Sequence, residues 1–206
     1  MRACGLLLLL LLFNSCRTPV DYLKTDLRSD NGYFQAVIEI PAGTNSKIEY
    51  HKIDKVFKAS LRDGEERKID FLPYPGNYGF IPSTFSDPEN GGDGDALDVM
   101  VLSSTIASGK VVEIIPIGMI KLIDAGEEDY KVIAIPADKD LRTINAENFK
   151  DFTKKYAPAM EILESWFLNY DPADSSKILG WADEKETEKE ILSLRKEWLN
   201  LLIFIF

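Results

Sequence analysis

The spacing of apolar residues changes period several times along this chain, and each change marks an element. Residues 6–13 are unbroken apolar, too short for a bilayer-spanning helix, which needs about 20 residues. Residues 17–32 are polar without a sustained period and read as a tether. From residue 33 the pattern alternates. "YFQAVIEI" (33–40) and "KIEYHKI" (47–53) read as half-buried strands joined into a hairpin. Asp63-Gly64 signals a turn, and "PYPGNYGFIPST" (73–84) is too irregular for a helix. Three β-rich runs follow: "LDVMVLSS" (97–104), "KVVEIIPIGMIKLID" (110–124) and "YKVIAIP" (130–136), the last preceded by turn-like "AGEE". Beyond residue 145 the period becomes helical. Residues 146–156 and 159–170 form helices broken at Pro158, and 184–200 carries Ile191, Leu194 and Trp198 on one side. The closing "LLIFIF" is either core or an oligomer interface. Strands followed by helices predict an α+β domain built on a small barrel or curled sheet.

Charge narrows the function. The 206 residues carry a net charge of −10, the opposite of the basic footprint that nucleic acid requires. That balance also disfavours electrostatic docking on anionic lipid. The N-terminus suggests a different link to a membrane. Met1 and Arg2 precede the apolar run, and Asn14-Ser15-Cys16 follows it, a layout similar to a lipoprotein signal with Phe13 in place of the usual leucine. With two cysteines in all, Cys4 would leave with the signal and Cys16 would become the lipidated terminus. The expected organisation is a signal peptide over 1–15, a lipid-anchored tether over 16–32 and one domain over 33–206. The protein is then exported and anchored at a bacterial membrane, facing the periplasm or the cell surface. An uncleaved N-terminal signal anchor is the alternative.

The chemistry concentrates in "DGDALDV", which sets Asp93, Asp95 and Asp98 within six positions. On a strand Asp93 and Asp95 project to one face, and Gly94 permits an unusual turn. Asp98 lies on the adjoining strand, with Leu97 and Val99 pointing into the core. Converging carboxylates are costly unless cations neutralise them, and hard oxygen ligands suit magnesium, manganese or calcium. An EF-hand is excluded, because the sixth and twelfth positions from Asp93 are Asp98 and Ser104 instead of glycine and glutamate. A solvated acidic turn is the plain alternative. Asp124 and Asp129 flank the turn between two strong strands, and Lys131 shares a face with Asp129. That pairing suits a metal-bound phosphate, or an ordinary surface ion pair. Glu39, Lys47 and Glu49 occupy the facing ends of the first hairpin.

Together, "VIEIP", "KIEY", "PYPGNYGFIP", "DGDALDV" and "DAGEEDYK" resemble, in order and spacing, the soluble family I inorganic pyrophosphatases. The resemblance covers residues 33–170. It implies a five-stranded OB-like β-barrel with flanking, mostly C-terminal helices. It also implies magnesium-dependent hydrolysis of inorganic diphosphate to two phosphates, with several Mg2+ ions per site and Mn2+ as a substitute. By position, Asp93, Asp98 and Asp129 are similar to ligands of the central metals and Asp124 to a ligand of metals arriving with substrate. Asp95 matches the general base, and Glu39 and Glu49 match outer carboxylates. Lys47, Arg67, Tyr78, Lys131 and Tyr170 match phosphate-binding groups, with Arg62 the alternative to Arg67, and Tyr74 matches a cavity tyrosine. A homo-oligomer is implied as well, with membrane contact only through the N-terminal lipid.

The chain departs from the family pattern in three places. Ala96 replaces a usual proline, and Ala125 an acidic residue. Asp171 replaces a phosphate-binding lysine, and its charge is expected to weaken substrate and product binding unless Lys177 or another cation swings in. A non-catalytic divalent-cation-binding lipoprotein on the same fold is the rival reading. His51, the only histidine, reads as an ordinary strand residue, and Trp166, Trp181 and Trp198 as core.

Overall fold

The computed structural model describes residues 19–172 and 175–205. The signal peptide and Cys16 lie outside them. Strand β1 (Phe34–Ile40) is followed by β2 (Ile48–His51) and β3 (Val56–Ala59), which pair only with each other. The small hairpin β4 (Leu61–Arg62) and β5 (Glu65–Glu66) comes next, then β6 (Asn77–Phe80), β7 (Asp98–Val101) and β8 (Val111–Asp124). The two-residue β9 (Glu127–Glu128) folds back on β8, and β10 (Lys131–Pro136) follows.

These strands close a ring. β1 pairs β6, β6 pairs β7, β7 pairs β10 in parallel, β10 pairs β8, and β8 returns to β1. The expected five-stranded barrel is therefore present. The expected hairpin of the first two strands is not, because the edges of β1 are taken by β6 and β8, and β2 turns back on β3. Closure depends on a close approach at Gly79, where an added Cβ would stand 1.9 Å from the Val37 carbonyl oxygen. Any larger residue there would prise β6 from β1.

Helices α1 (Phe149–Lys155) and α2 (Ala157–Asn169) flank the barrel. The Asn148 side chain accepts from the Asp151 N–H to cap α1, and Pro158 in the first turn opens α2. Strand β11 (Lys177–Ala182), absent from the sequence reading, adds to the far half of β8. Helix α3 (Glu184–Ile205) runs on through most of the apolar ending. Its first turn is capped by Asp183, whose Oδ1 accepts from the N–H groups of Lys185 and Glu186.

Alternate strand residues divide between two cores. Val99, Val101, Val132 and Ala134 pack with Ile191 and Leu194 of α3. Met100, Ile133, Ile120 and Leu122 pack with Phe152 of α1 and Trp166 and Phe167 of α2. Full burial of each Val, Leu, Ile, Met or Phe side chain among them contributes about 1.5–3 kcal/mol. The second face, followed two residues along each strand, reaches Asp98, Lys131 and Asp124. The core thus sets the direction in which these charged residues point.

Residues 19–32, assigned above to the tether, lie partly against this domain. Leu27 joins the first core, the Tyr22 ring packs edge-on against Tyr50 and Phe57, and the Leu23 carbonyl accepts from the Ser83 N–H at 2.9 Å. Among the described residues no helix is long and apolar enough to cross a membrane.

Candidate active site

A cavity of about 710 Å³ opens at the end of the second face. Glu39, Glu49, Asp93, Asp95, Asp98, Asp124 and Asp129 all line it, together with Lys47, Arg62, Arg67, Lys131, Tyr78 and Tyr170. The carboxylates of "DGDALDV" and those beside the β8–β9 turn therefore share one space.

Backbone links explain that meeting. Gly92 bridges Glu128, and the Glu128 N–H donates to the Gly91 carbonyl at 2.9 Å. This ties the aspartate loop to the tip of the β8–β9 hairpin. The hairpin turns on Ala125 and Gly126, with φ of 48° and 96°, the positive values a two-residue primed turn requires. Residues 93–95 form a loop, not the strand expected. Gly94 adopts φ +81°, and the Asp93 carboxylate accepts from the Asp95 N–H at 3.0 Å. Both side chains reach the cavity through this Asx-type turn.

The parallel register of β7 and β10 sets Asp98 beside Lys131. Lys131 is buried, and its ammonium lies between Asp98, at 2.5 Å, and Asp129. The Tyr78 hydroxyl donates to the same Asp98 oxygen at 2.5 Å. The Ser176 hydroxyl donates to Asp124 at 3.1 Å, and Lys52 pairs with Asp95. Lys47 lies 3.4 Å from Glu49.

Burial is the main force on these acids. It pushes Asp93 up to about 6, with Asp98, Asp129 and Asp95 adding repulsion against one backbone hydrogen bond. Burial also raises Asp129, opposed by Lys131. Glu39 is pushed up to about 8 by burial, although the Tyr50 N–H donates to it at 2.6 Å. Burial works against the charged form of Lys131, but Asp98 and Asp129 outweigh it and hold the ammonium protonated.

These donors fit a hard divalent cation. They are carboxylate oxygens that repel one another, and a buried ammonium already sits between two of them. As the side chains stand, no group of three or more acidic or histidine residues forms a ready-made ligand set among the described residues. Lys131 and Lys52 engage three of the carboxylates instead.

Comparison with known proteins shows the family. The family model described as inorganic pyrophosphatase matches residues 36–199. The chain belongs to that family. It is 33% identical over 188 residues to an inorganic pyrophosphatase of Neisseria meningitidis serogroup B, covering 90% of this chain and 96% of the relative. It is 34% identical to that of Haemophilus influenzae, covering 90% and 97%. Among solved structures, the Thermus thermophilus inorganic pyrophosphatase superposes with a TM-score of 0.74 at 26% identity, covering 87% of this chain and 99% of that one. The type I enzyme of P falciparum gives 0.76 at 30% identity, covering 87% and 63%.

Most of the residues that resembled a pyrophosphatase site line the cavity. Tyr74 does not. It is buried beside it, its ring 4.7 Å from Trp166 and 5.4 Å from Tyr78, and so supports Tyr78 from behind. Arg62 and Arg67, read as alternatives, both line the cavity. Asp171 is buried and paired with both of them, while Lys177 does not line the cavity. Lys52 was missed: within a strand over 47–53 alternation turns it to the face opposite Lys47 and Glu49, whereas β2 ends at His51 and frees Lys52 from that alternation.

Proposed function

We propose that this pyrophosphatase-family chain hydrolyses inorganic diphosphate to two phosphates. The single observation that carries the reading is the convergence of the separated carboxylates and the Lys, Arg and Tyr donors on one cavity. Diphosphate is a polyanion, and an acidic cavity holds it only through divalent cations. Asp93, Asp98 and Asp129 would hold the central Mg2+ ions, Asp124 those that arrive with substrate, and Glu39 and Glu49 would support from outside. Mg2+ supplies charge neutralisation and lowers the pKa of water.

The remaining steps belong to the protein's own groups. Asp95 accepts a proton from the attacking water. Its present partner, Lys52, lies on an exposed pair and is readily displaced. Tyr78, through its hydroxyl on Asp98, fixes the orientation of that carboxylate. Lys47, Arg67, Lys131 and Tyr170 donate to phosphate oxygens and stabilise the charge that grows on the leaving phosphate. Lys131 exchanges a carboxylate contact for a phosphate contact as cations enter.

The test is phosphate release from magnesium diphosphate by protein lacking residues 1–16. Release abolished by EDTA supports the reading; cation binding without release supports a non-catalytic cation-binding protein. We further propose export with a lipid on Cys16. A labelled fatty acid incorporated into the wild type and lost in Cys16→Ser checks this. A homo-oligomer is expected on the same family grounds, and sedimentation decides it.

A further inference from the structure

Asp171 follows Tyr170, the C-cap of α2, and is buried, 9% exposed, behind Arg62 and Arg67 of the cavity lining. A carboxylate there must be paired to stay ionised. Its Oδ2 accepts from Arg67 Nη2 at 2.8 Å and Arg62 Nη2 at 2.7 Å, and its Oδ1 accepts from Arg62 Nη1 at 3.3 Å.

The two arginines come from a structure suited to present them together. Asp63 and Gly64, with φ of 54° and 86°, close the tight β4–β5 turn. Arg62 precedes that turn on β4, and Arg67 follows β5. The Arg67 N–H donates to the Ser60 carbonyl, and the Arg67 carbonyl accepts from the Lys47 N–H at 3.0 Å. Lys47, Arg62 and Arg67 thus share one backbone patch and one cavity wall. On the other side α2 is fixed by Trp166, whose indole N–H donates to the Leu72 carbonyl at 2.9 Å and whose ring stacks on Tyr170.

We propose that Asp171 is a positioning residue that ties Arg62 and Arg67 into a paired guanidinium grip on the phosphate oxygens of diphosphate. This rests on the diphosphatase reading above. Each guanidinium is a planar fork with five donors, more than the contacts to a single carboxylate need, and Arg67 reaches Asp171 through Nη2. Its carboxylate is spent on the arginines and does not confront the substrate. The charge penalty expected from an aspartate at this place is thereby replaced by an ordering role, with Arg62 recruited as a second anion-binding arginine. A lysine at 171 would put a third cation beside two and drive the pair apart.

The experiment compares Asp171→Asn, Asp171→Glu, Asp171→Lys and Arg62→Gln in steady-state hydrolysis of magnesium diphosphate. Asp171→Asn should raise KM about tenfold or more, the scale of one charge-assisted hydrogen bond, with a smaller change in kcat. Asp171→Glu should recover part of that loss. Asp171→Lys should raise KM as well, and Arg62→Gln combined with Asp171→Asn should cost less than the sum of the two. An unchanged KM in Asp171→Asn, or a lowered KM in Asp171→Lys, overturns the proposal. Calorimetric binding of diphosphate in Mg2+ separates the two readings. Wild type that binds without turnover contradicts the diphosphatase reading, and the affinity of Asp171→Asn still decides the grip.

Discussion

Lys131 and Asp98 are register partners on parallel strands, and the Lys131 ammonium lies 2.5 Å from the Asp98 carboxylate inside the cavity. The side chains are 4% and 23% exposed, so the pair is largely withdrawn from water. Removing one member of a buried pair typically costs about 3–5 kcal/mol, because it strands the other charge. Lys131→Met should therefore destabilise the protein in EDTA by about that amount, measured by urea unfolding. Mg2+ should return part of the loss by taking the ammonium's place between Asp98 and Asp129. Equal stability of variant and wild type in EDTA would contradict this.

Glu39 makes the stability of the cation-free protein depend on pH. Burial pushes its carboxyl up to about 8, above the ordinary glutamate value of 4.5, so the folded state binds the proton more tightly. Stability from this group is fully present below pH 4.5 and is lost as pH rises through about 8. Unfolding in EDTA should show stability falling over that window by on the order of a few kcal/mol. Glu39→Gln should flatten the slope, and a variant slope equal to the wild type's removes Glu39 as its source.

Asp95→Asn keeps the shape of the side chain and removes the proton acceptor. Turnover should fall by about 10²–10⁴-fold, while Mg2+ binding measured by calorimetry changes little. Wild-type turnover in this variant assigns the base elsewhere.

Tyr78→Phe deletes the hydroxyl that donates to Asp98 at 2.5 Å. A hydrogen bond to a charged group contributes about 1.5–3 kcal/mol. The Mg2+ requirement for half-maximal activity should rise, since Asp98 loses its orienting partner. An unchanged requirement would leave Tyr78 as packing alone.

Much of this was legible in the sequence because strand alternation and acid spacing are local signals. Asp98 between Leu97 and Val99 could only face away from the core they enter, and the structure places it so. The turns at Asp63-Gly64 and after Asp124 were equally readable, since each carries a glycine, Gly64 or Gly126, at a positive φ. Pairing was less so. Nothing in "KIEYHKI" says that it prefers β3 to β1, because that choice depends on which neighbours claim the edges of β1. β11 escaped notice because Gly180 interrupts its alternation and a register shift occurs there. Asp171 was the least legible residue. Its partners lie 104 and 109 positions away, and without them its charge looked like an obstacle.

The central claim is that the acids of this cavity grip diphosphate only through divalent cations. Imidodiphosphate, the nitrogen-bridged analogue that resists cleavage, tests this by calorimetry. Binding that appears with Mg2+ and vanishes in EDTA is the predicted result; equally tight binding in EDTA would contradict it.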